Sequence, residues 1–167
     1  MAFSPDGTIL AAGGTDAAIS LWSMPSGQPL AVLKDDTGWV LHIAFSPDGK
    51  RLASGGNGGA IIIWDVGSQR EIQRLQERAE VLSAAWSRDG KTLASGTYDG
   101  GVQLWELATG QRVWSRMGHL SGVFSVAFAP DGMTVASGST DTTALVWDVS
   151  ELRMLGENPR HDLTPEA

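Results

Sequence analysis

Four tryptophans, Trp22, Trp64, Trp105 and Trp147, stand 42, 41 and 42 residues apart, and each closes a block that opens on a variant of Phe-Ser-Pro-Asp-Gly. This period constrains the fold more than any other feature. A block of about forty residues cannot bury its own apolar side chains, so stacked copies must cover one another. The openings are Phe3-Ser-Pro-Asp-Gly7, Phe45-Ser-Pro-Asp-Gly49, Trp86-Ser-Arg-Asp-Gly90 and Phe128-Ala-Pro-Asp-Gly132. Each is followed by a small-residue segment, Leu10-Ala-Ala-Gly13, Leu52-Ala-Ser-Gly55, Leu93-Ala-Ser-Gly96 and Val135-Ala-Ser-Gly138. A third segment runs into the tryptophan, as Ile19-Ser-Leu-Trp22, Ile61-Ile-Ile-Trp64, Val102-Gln-Leu-Trp105 and Ala144-Leu-Val-Trp147.

The connections have hairpin chemistry. In Ser-Pro-Asp-Gly, proline presets φ, aspartate bonds back to the chain, and glycine accepts the left-handed conformation. A second turn follows each of the first three tryptophans, at Pro25-Ser-Gly-Gln28, Val66-Gly-Ser-Gln69 and Ala108-Thr-Gly-Gln111. These lead into a fourth segment that alternates apolar and polar residues, as an outer strand wet on one side does. No stretch competes as a helix. Each period therefore predicts four short antiparallel strands, and the chain an all-β array of β-propeller blades.

Trp64-Asp65 and Trp147-Asp148, with the variants Trp22-Ser23 and Trp105-Glu106 and the pair Gly118-His119, make the chain resemble the WD40 repeat family over roughly residues 1–155. Its very regular blocks resemble bacterial repeats. Blades are expected at about 1–38, 39–79, 80–120 and 121–155, with a polar tail at 156–167 read as disordered or as a linker.

Composition narrows the function. A formal charge of −7 with scattered basic residues argues against nucleic acid as a partner. Arg70, Arg74 and Arg78 read as solvated edge charges on one strand face. Zero cysteines leave no thiol chemistry or disulfide framework. With no signal peptide and no membrane-spanning run, the expected location is cytoplasmic, with no membrane partner. No cofactor or metal is expected.

The array reads as incomplete. Three full first strands, Val40 to Phe45, Val81 to Trp86 and Val123 to Phe128, are preceded by only Met1-Ala-Phe3, so the first blade is truncated. Leu152-Arg-Met-Leu155 is a candidate for the last outer strand, and no latch strand follows it. An open arc exposes apolar blade faces and strand edges. Three resolutions stand: a piece of a larger WD40 protein, two copies joined head to tail into an eight-bladed ring, or an independent four-bladed ring.

The resemblance implies a hydrogen-bonded tetrad in each blade, from a histidine before the first strand, a serine in the second, an aspartate in the next turn and the closing tryptophan. Only the fourth repeat carries all four, as His119, Ser137, Asp141 and Trp147. The third keeps Ser95, Asp99 and Trp105 with Glu77 at the histidine position, the second keeps Ser54 and Trp64, and the first keeps Asp16 and Trp22. His, Ser and Asp invite comparison with a catalytic triad, but no nucleophile elbow accompanies them. Gly55-Gly-Asn-Gly-Gly59 lacks the lysine and the following helix of a phosphate loop.

WD40 proteins typically bind partners on the loops before each first strand and between the second and third strands. Carried onto this chain, that face holds Trp39, Tyr98, Asn57, Thr140, Asp36 and Glu80, with acidic residues favouring a basic or neutral segment. The expected function is a non-catalytic protein-interaction scaffold. Two alternatives stand beside it: the docking portion of a multidomain enzyme such as a bacterial serine/threonine kinase, and a self-assembling propeller closed by homodimerisation.

Overall fold

The computed structural model describes residues 1–34 and 38–152. Four antiparallel sheets follow one another along the chain. Blade 1 is β1 (Ala2–Phe3), β2 (Ile9–Gly13), β3 (Ala18–Ser23) and β4 (Gln28–Lys34); blade 2 is β5 (Val40–Phe45), β6 (Arg51–Gly56), β7 (Ala60–Asp65) and β8 (Arg70–Gln76). Blade 3 is β9 (Val81–Trp86), β10 (Thr92–Thr97), β11 (Gly101–Glu106) and β12 (Gln111–Met117); blade 4 is β13 (Val123–Phe128), β14 (Thr134–Ser139) and β15 (Ala144–Asp148). Strand order within each sheet is sequential, and the sheets do not close into a ring.

The predicted last outer strand is corrected in part. Residues 150–152 form a single helical turn, in which Leu152 N–H donates to the Val149 carbonyl at 3.1 Å, while residues 153–155 and the tail at 156–167 lie outside the described residues. Arg78 is corrected too, because β8 ends at Gln76 and only Arg70 and Arg74 share that strand. Among the described residues no helix is long and apolar enough to cross a membrane.

The first hairpins of blades 1, 2 and 3 show why their sequence recurs. Ser46 Oγ donates to Asp48 Oδ1 at 2.6 Å and accepts from Arg51 N–H at 2.9 Å, while Gly49 sits at φ +69°. Ser4 with Asp6 and Ser87 with Asp89 repeat the arrangement at 2.6 and 2.7 Å. Side chain and backbone thus satisfy one another inside the turn, and the Ser46 hydroxyl holds the Asp48 carboxyl below its ordinary range.

Packing between blades follows one rule. Ala11, Ile19, Leu21 and Leu33 on the leading face of blade 1 meet Val40, Ile43, Leu52, Ile62 and Trp64 on the trailing face of blade 2. The same pairing recurs between blades 2 and 3 and between blades 3 and 4. Each fully buried leucine or isoleucine contributes about 1.5–3 kcal/mol. The glycine of each second strand is a socket for the valine that opens the next blade: a Cβ on Gly55 would lie 2.6 Å from Val81 Cγ1, one on Gly96 2.6 Å from Val123 Cγ1, and one on Gly13 would overlap Val40.

Polar ties cross the same interfaces. His42 Nε2 bonds the Ala84 carbonyl of blade 3 at 2.8 Å, and Ser83 Oγ donates to the Val123 carbonyl of blade 4 at 2.9 Å. Trp86 Nε1–H donates back to the Ala44 carbonyl at 3.0 Å, under the guanidinium of Arg51 4.8 Å from the ring centroid. Burial pushes the His42 imidazole down from its ordinary value. Between that lowered value and the unfolded value of about 6.5 the unfolded chain binds more protons, so stability falls as pH drops below about 6.5. Urea titrations at several pH values should show this slope, and His42→Gln should flatten it; an unchanged slope rules out His42 as its source.

Candidate functional site

The two loops assigned to partner binding come together at one end of the blades, and the backbone pairs them. Asn57 N–H donates to the Trp39 carbonyl at 3.3 Å, Tyr98 N–H to the Glu80 carbonyl at 2.9 Å, and Thr140 N–H to the Gly122 carbonyl at 3.2 Å. Trp39, Glu80 and Gly122 are therefore equivalent positions, as are Asn57, Tyr98 and Thr140. Asn57 Oδ1 also accepts from Trp39 N–H at 2.7 Å, and Thr140 Oγ1 donates to Ser121 Oγ at 2.9 Å. Trp39 is 52% exposed and Tyr98 64%. Asp36 lies outside the described residues.

Sequence reasoning missed the residues beside these. The register shifts between Val40 and His42 in blade 2 and between Val123 and Ser125 in blade 4, leaving Leu41 and Phe124 bulged and unpaired. Both are exposed, and Leu82 is their counterpart in blade 3. Gly122 makes room for two of them, since a Cβ there would lie 2.8 Å from Leu82 Cδ1 and 3.1 Å from Phe124 Cε2. The departure from strict alternation is the signal in the sequence: an apolar residue directly follows the buried valine that opens each first strand. Leu120, 94% exposed, stands on the same end, its N–H donating to Asp141 Oδ2 at 2.8 Å.

Below this surface the structure brings His119, Ser137, Asp141 and Trp147 into one directed chain. Trp147 Nε1–H donates to Ser137 Oγ at 2.8 Å, and Ser137 Oγ lies 2.8 Å from His119 Nε2. His119 Nδ1 lies 3.1 Å from Asp141 Oδ2 and 3.0 Å from Thr143 Oγ1. With the proton on Nδ1, every link has one donor and one acceptor. The Thr143 hydroxyl, with the Leu120 and Thr143 amides, holds the Asp141 carboxyl well below the usual carboxylate range. The serine's oxygen is occupied by the indole donor and its proton is directed to the imidazole, so the constellation is fixed as a structural strut.

Blade 3 builds a different strut from the same positions. Glu77, 4% exposed, occupies the histidine position, and its Oε1 accepts from Ser95 Oγ at 2.5 Å and from Trp105 Nε1–H at 3.2 Å. Its Oε2 is buried without a hydrogen-bond partner. Burial pushes this carboxyl up from its ordinary value despite the Ser95 and Trp105 bonds. In blade 2 Trp64 Nε1–H donates to Ser54 Oγ at 2.9 Å. In blade 1 the serine position is Ala12, so Trp22 has no hydroxyl there to meet.

Four stacked antiparallel units, three of four strands and one of three among the described residues, each carrying a tryptophan at the end of its third strand, define a propeller-blade repeat protein. A family model described as WD domain, G-beta repeat matches residues 1–23, 27–65, 69–106 and 110–148. The chain belongs to the WD40 repeat family, whose members generally serve as protein-interaction scaffolds. A search of curated proteins finds no match.

Proposed function

We propose that this chain is a non-catalytic interaction scaffold whose partner is a peptide or protein segment docked across Trp39, Tyr98 and the bulged Leu41 and Phe124. One observation carries this reading: large apolar side chains stand exposed at the end where rigid hydrogen bonds hold the paired loops. Such aromatic anchors on a pre-organised surface lose little entropy on binding. Asp16, Glu80 and Asp99 flank them, so the segment that fits carries an apolar residue beside lysine or arginine.

Selection of a random peptide library on the immobilised chain tests this. The selected peptides should combine an aromatic or aliphatic residue with basic neighbours. The double variant Trp39→Ala, Tyr98→Ala should bind them at least tenfold more weakly, a loss of roughly 1.4 kcal/mol or more. Peptides that bind the double variant as well as the parent chain would remove this surface from consideration.

A further inference from the structure

The turn between the second and third strands of blade 2 carries a chemistry that its counterparts lack. Asn57 is exposed and is followed by Gly58, whereas Thr15, Tyr98 and Thr140 hold its position in the other blades and are each followed by aspartate. The side-chain amide of an asparagine is open to attack by the backbone nitrogen of the next residue, and glycine puts no Cβ in the way. The chain's other asparagine, Asn158, precedes Pro159, whose nitrogen carries no proton to give up. Asn57 is therefore the one asparagine placed for this reaction.

The electrophile is held and polarised. Asn57 Oδ1 accepts from Trp39 N–H at 2.7 Å, and Gly38, at φ +111°, leaves the room for it, since a Cβ there would lie 2.5 Å from the same oxygen. An N–H aimed at a carbonyl oxygen draws charge from its carbon and stabilises the oxyanion that attack creates. The nucleophile, by contrast, is unheld. In blade 4 the amide at the Gly58 position, Asp141 N–H, donates to Ser139 Oγ at 3.1 Å. Gly56 stands where Ser139 does and has no hydroxyl, and among the described residues Gly58 N–H has no hydrogen-bond partner. The leaving group is equally free, for Asn57 Nδ2 bonds to nothing among the described residues.

We infer that Asn57 is a site of spontaneous covalent modification, in which the Gly58 nitrogen closes a cyclic imide on the Asn57 side chain and water reopens it to an acid. In the first step the bond from Gly58 N to Asn57 Cγ forms and the bond from Cγ to Nδ2 breaks. The Gly58 nitrogen gives its proton to a solvent base, and Nδ2 takes one up and leaves as ammonia. Water then adds to one of the two imide carbonyls. Opening on the Gly58 side of Cγ yields aspartate, while opening at the Asn57 backbone carbonyl yields isoaspartate and routes the main chain through Cβ and Cγ. Either product adds a negative charge against Trp39, at the end that already carries Asp16, Glu80 and Asp99. On the docking function proposed above, on which this consequence alone rests, the aspartate form holds a basic segment more tightly than the parent chain does.

Incubation of the full chain at mildly alkaline pH, followed by mass mapping of its tryptic peptides, tests the site. The peptide spanning residues 52–70 should acquire an acid in place of its amide, part of it as isoaspartate that an isoaspartyl methyltransferase labels. The folded chain should convert at least as fast as the chain unfolded in guanidinium chloride. Gly58→Ala should slow conversion by roughly tenfold or more, and Asn57→Gln should abolish it. An Asn57 amide that stays intact in the folded chain for as long as the unfolded chain takes to convert would overturn the site, as would conversion indifferent to Gly58→Ala. Slower conversion in the folded than in the unfolded chain would overturn the activating role of Trp39 N–H. Affinity for a basic peptide, measured on separated aspartate and parent forms, is an independent reading: equal affinities would remove the consequence for docking and leave the mapped modification in place.

Discussion

Gly56→Ala is expected to lower the stability of the chain by roughly 3 kcal/mol. A Cβ on Gly56 would overlap the carbonyl oxygen of Trp39, and that oxygen is fixed by the amide of Asn57. Backbone presses on backbone at this point, so no side-chain rotamer relieves the collision. Gly138→Ala, also in the second strand of its blade, supplies the control, because its new methyl group makes only an ordinary contact, 3.9 Å from Ser125 Cβ. Urea unfolding of the two variants should separate them by most of that 3 kcal/mol. A Gly56→Ala midpoint matching the control would show that the Trp39 loop yields, and with it the rigidity assigned to the docking surface.

The second large effect concerns the acid in the histidine position of blade 3. Glu77→Gln should stabilise the chain at neutral pH by about 1–2 kcal/mol and remove a pH dependence. The sign follows from the raised value of the folded carboxyl. In the interval between the ordinary glutamate value and that raised value the folded state holds a proton the unfolded state has released. The stabilisation is complete below the ordinary value and is lost as pH rises through the raised one. Glutamine keeps an acceptor for Ser95 and Trp105 and carries no charge, so it matches the protonated form at every pH. Thermal melts from pH 4 to 8 measure this directly. A Glu77→Gln chain less stable than the parent at pH 7 would mean that the carboxylate, with help from the Arg112 charge across the blade, is the better occupant. His42 bends stability the opposite way at the acid end, so the parent profile combines two slopes that the single substitutions separate.

Much of this architecture was legible in the sequence, for physical reasons that differ between elements. The first hairpins of blades 1 and 2 follow from turn chemistry, because Ser-Pro-Asp-Gly permits few conformations and its serine and aspartate close the hairpin on themselves. The residues of the blade 4 strut were legible through the family resemblance, which implies a linked His, Ser, Asp and Trp at those positions, and burial gives the physical reason they bond to one another. Leu41 and Phe124 were not, because a bulge breaks the period-two rule at that residue. Glu77 was placed in its position but not in its state, since an unpartnered oxygen is a property of packing rather than of residue order. Leu152 was assigned toward a strand from its apolar neighbours, whereas its amide closes a turn on Val149.

The glycine sockets give the array a grammar of whole words. Val40 fills the gap left by Gly13, Val81 that left by Gly55 and Val123 that left by Gly96, so the part that projects from any blade fits the part recessed in any other. Deleting one full period would leave Gly13 facing Val81, with the joint intact. Losing half a period would leave a valine facing a side chain and a cavity facing solvent. Gain or loss of an entire blade is therefore the change in length that these joints accommodate at least cost.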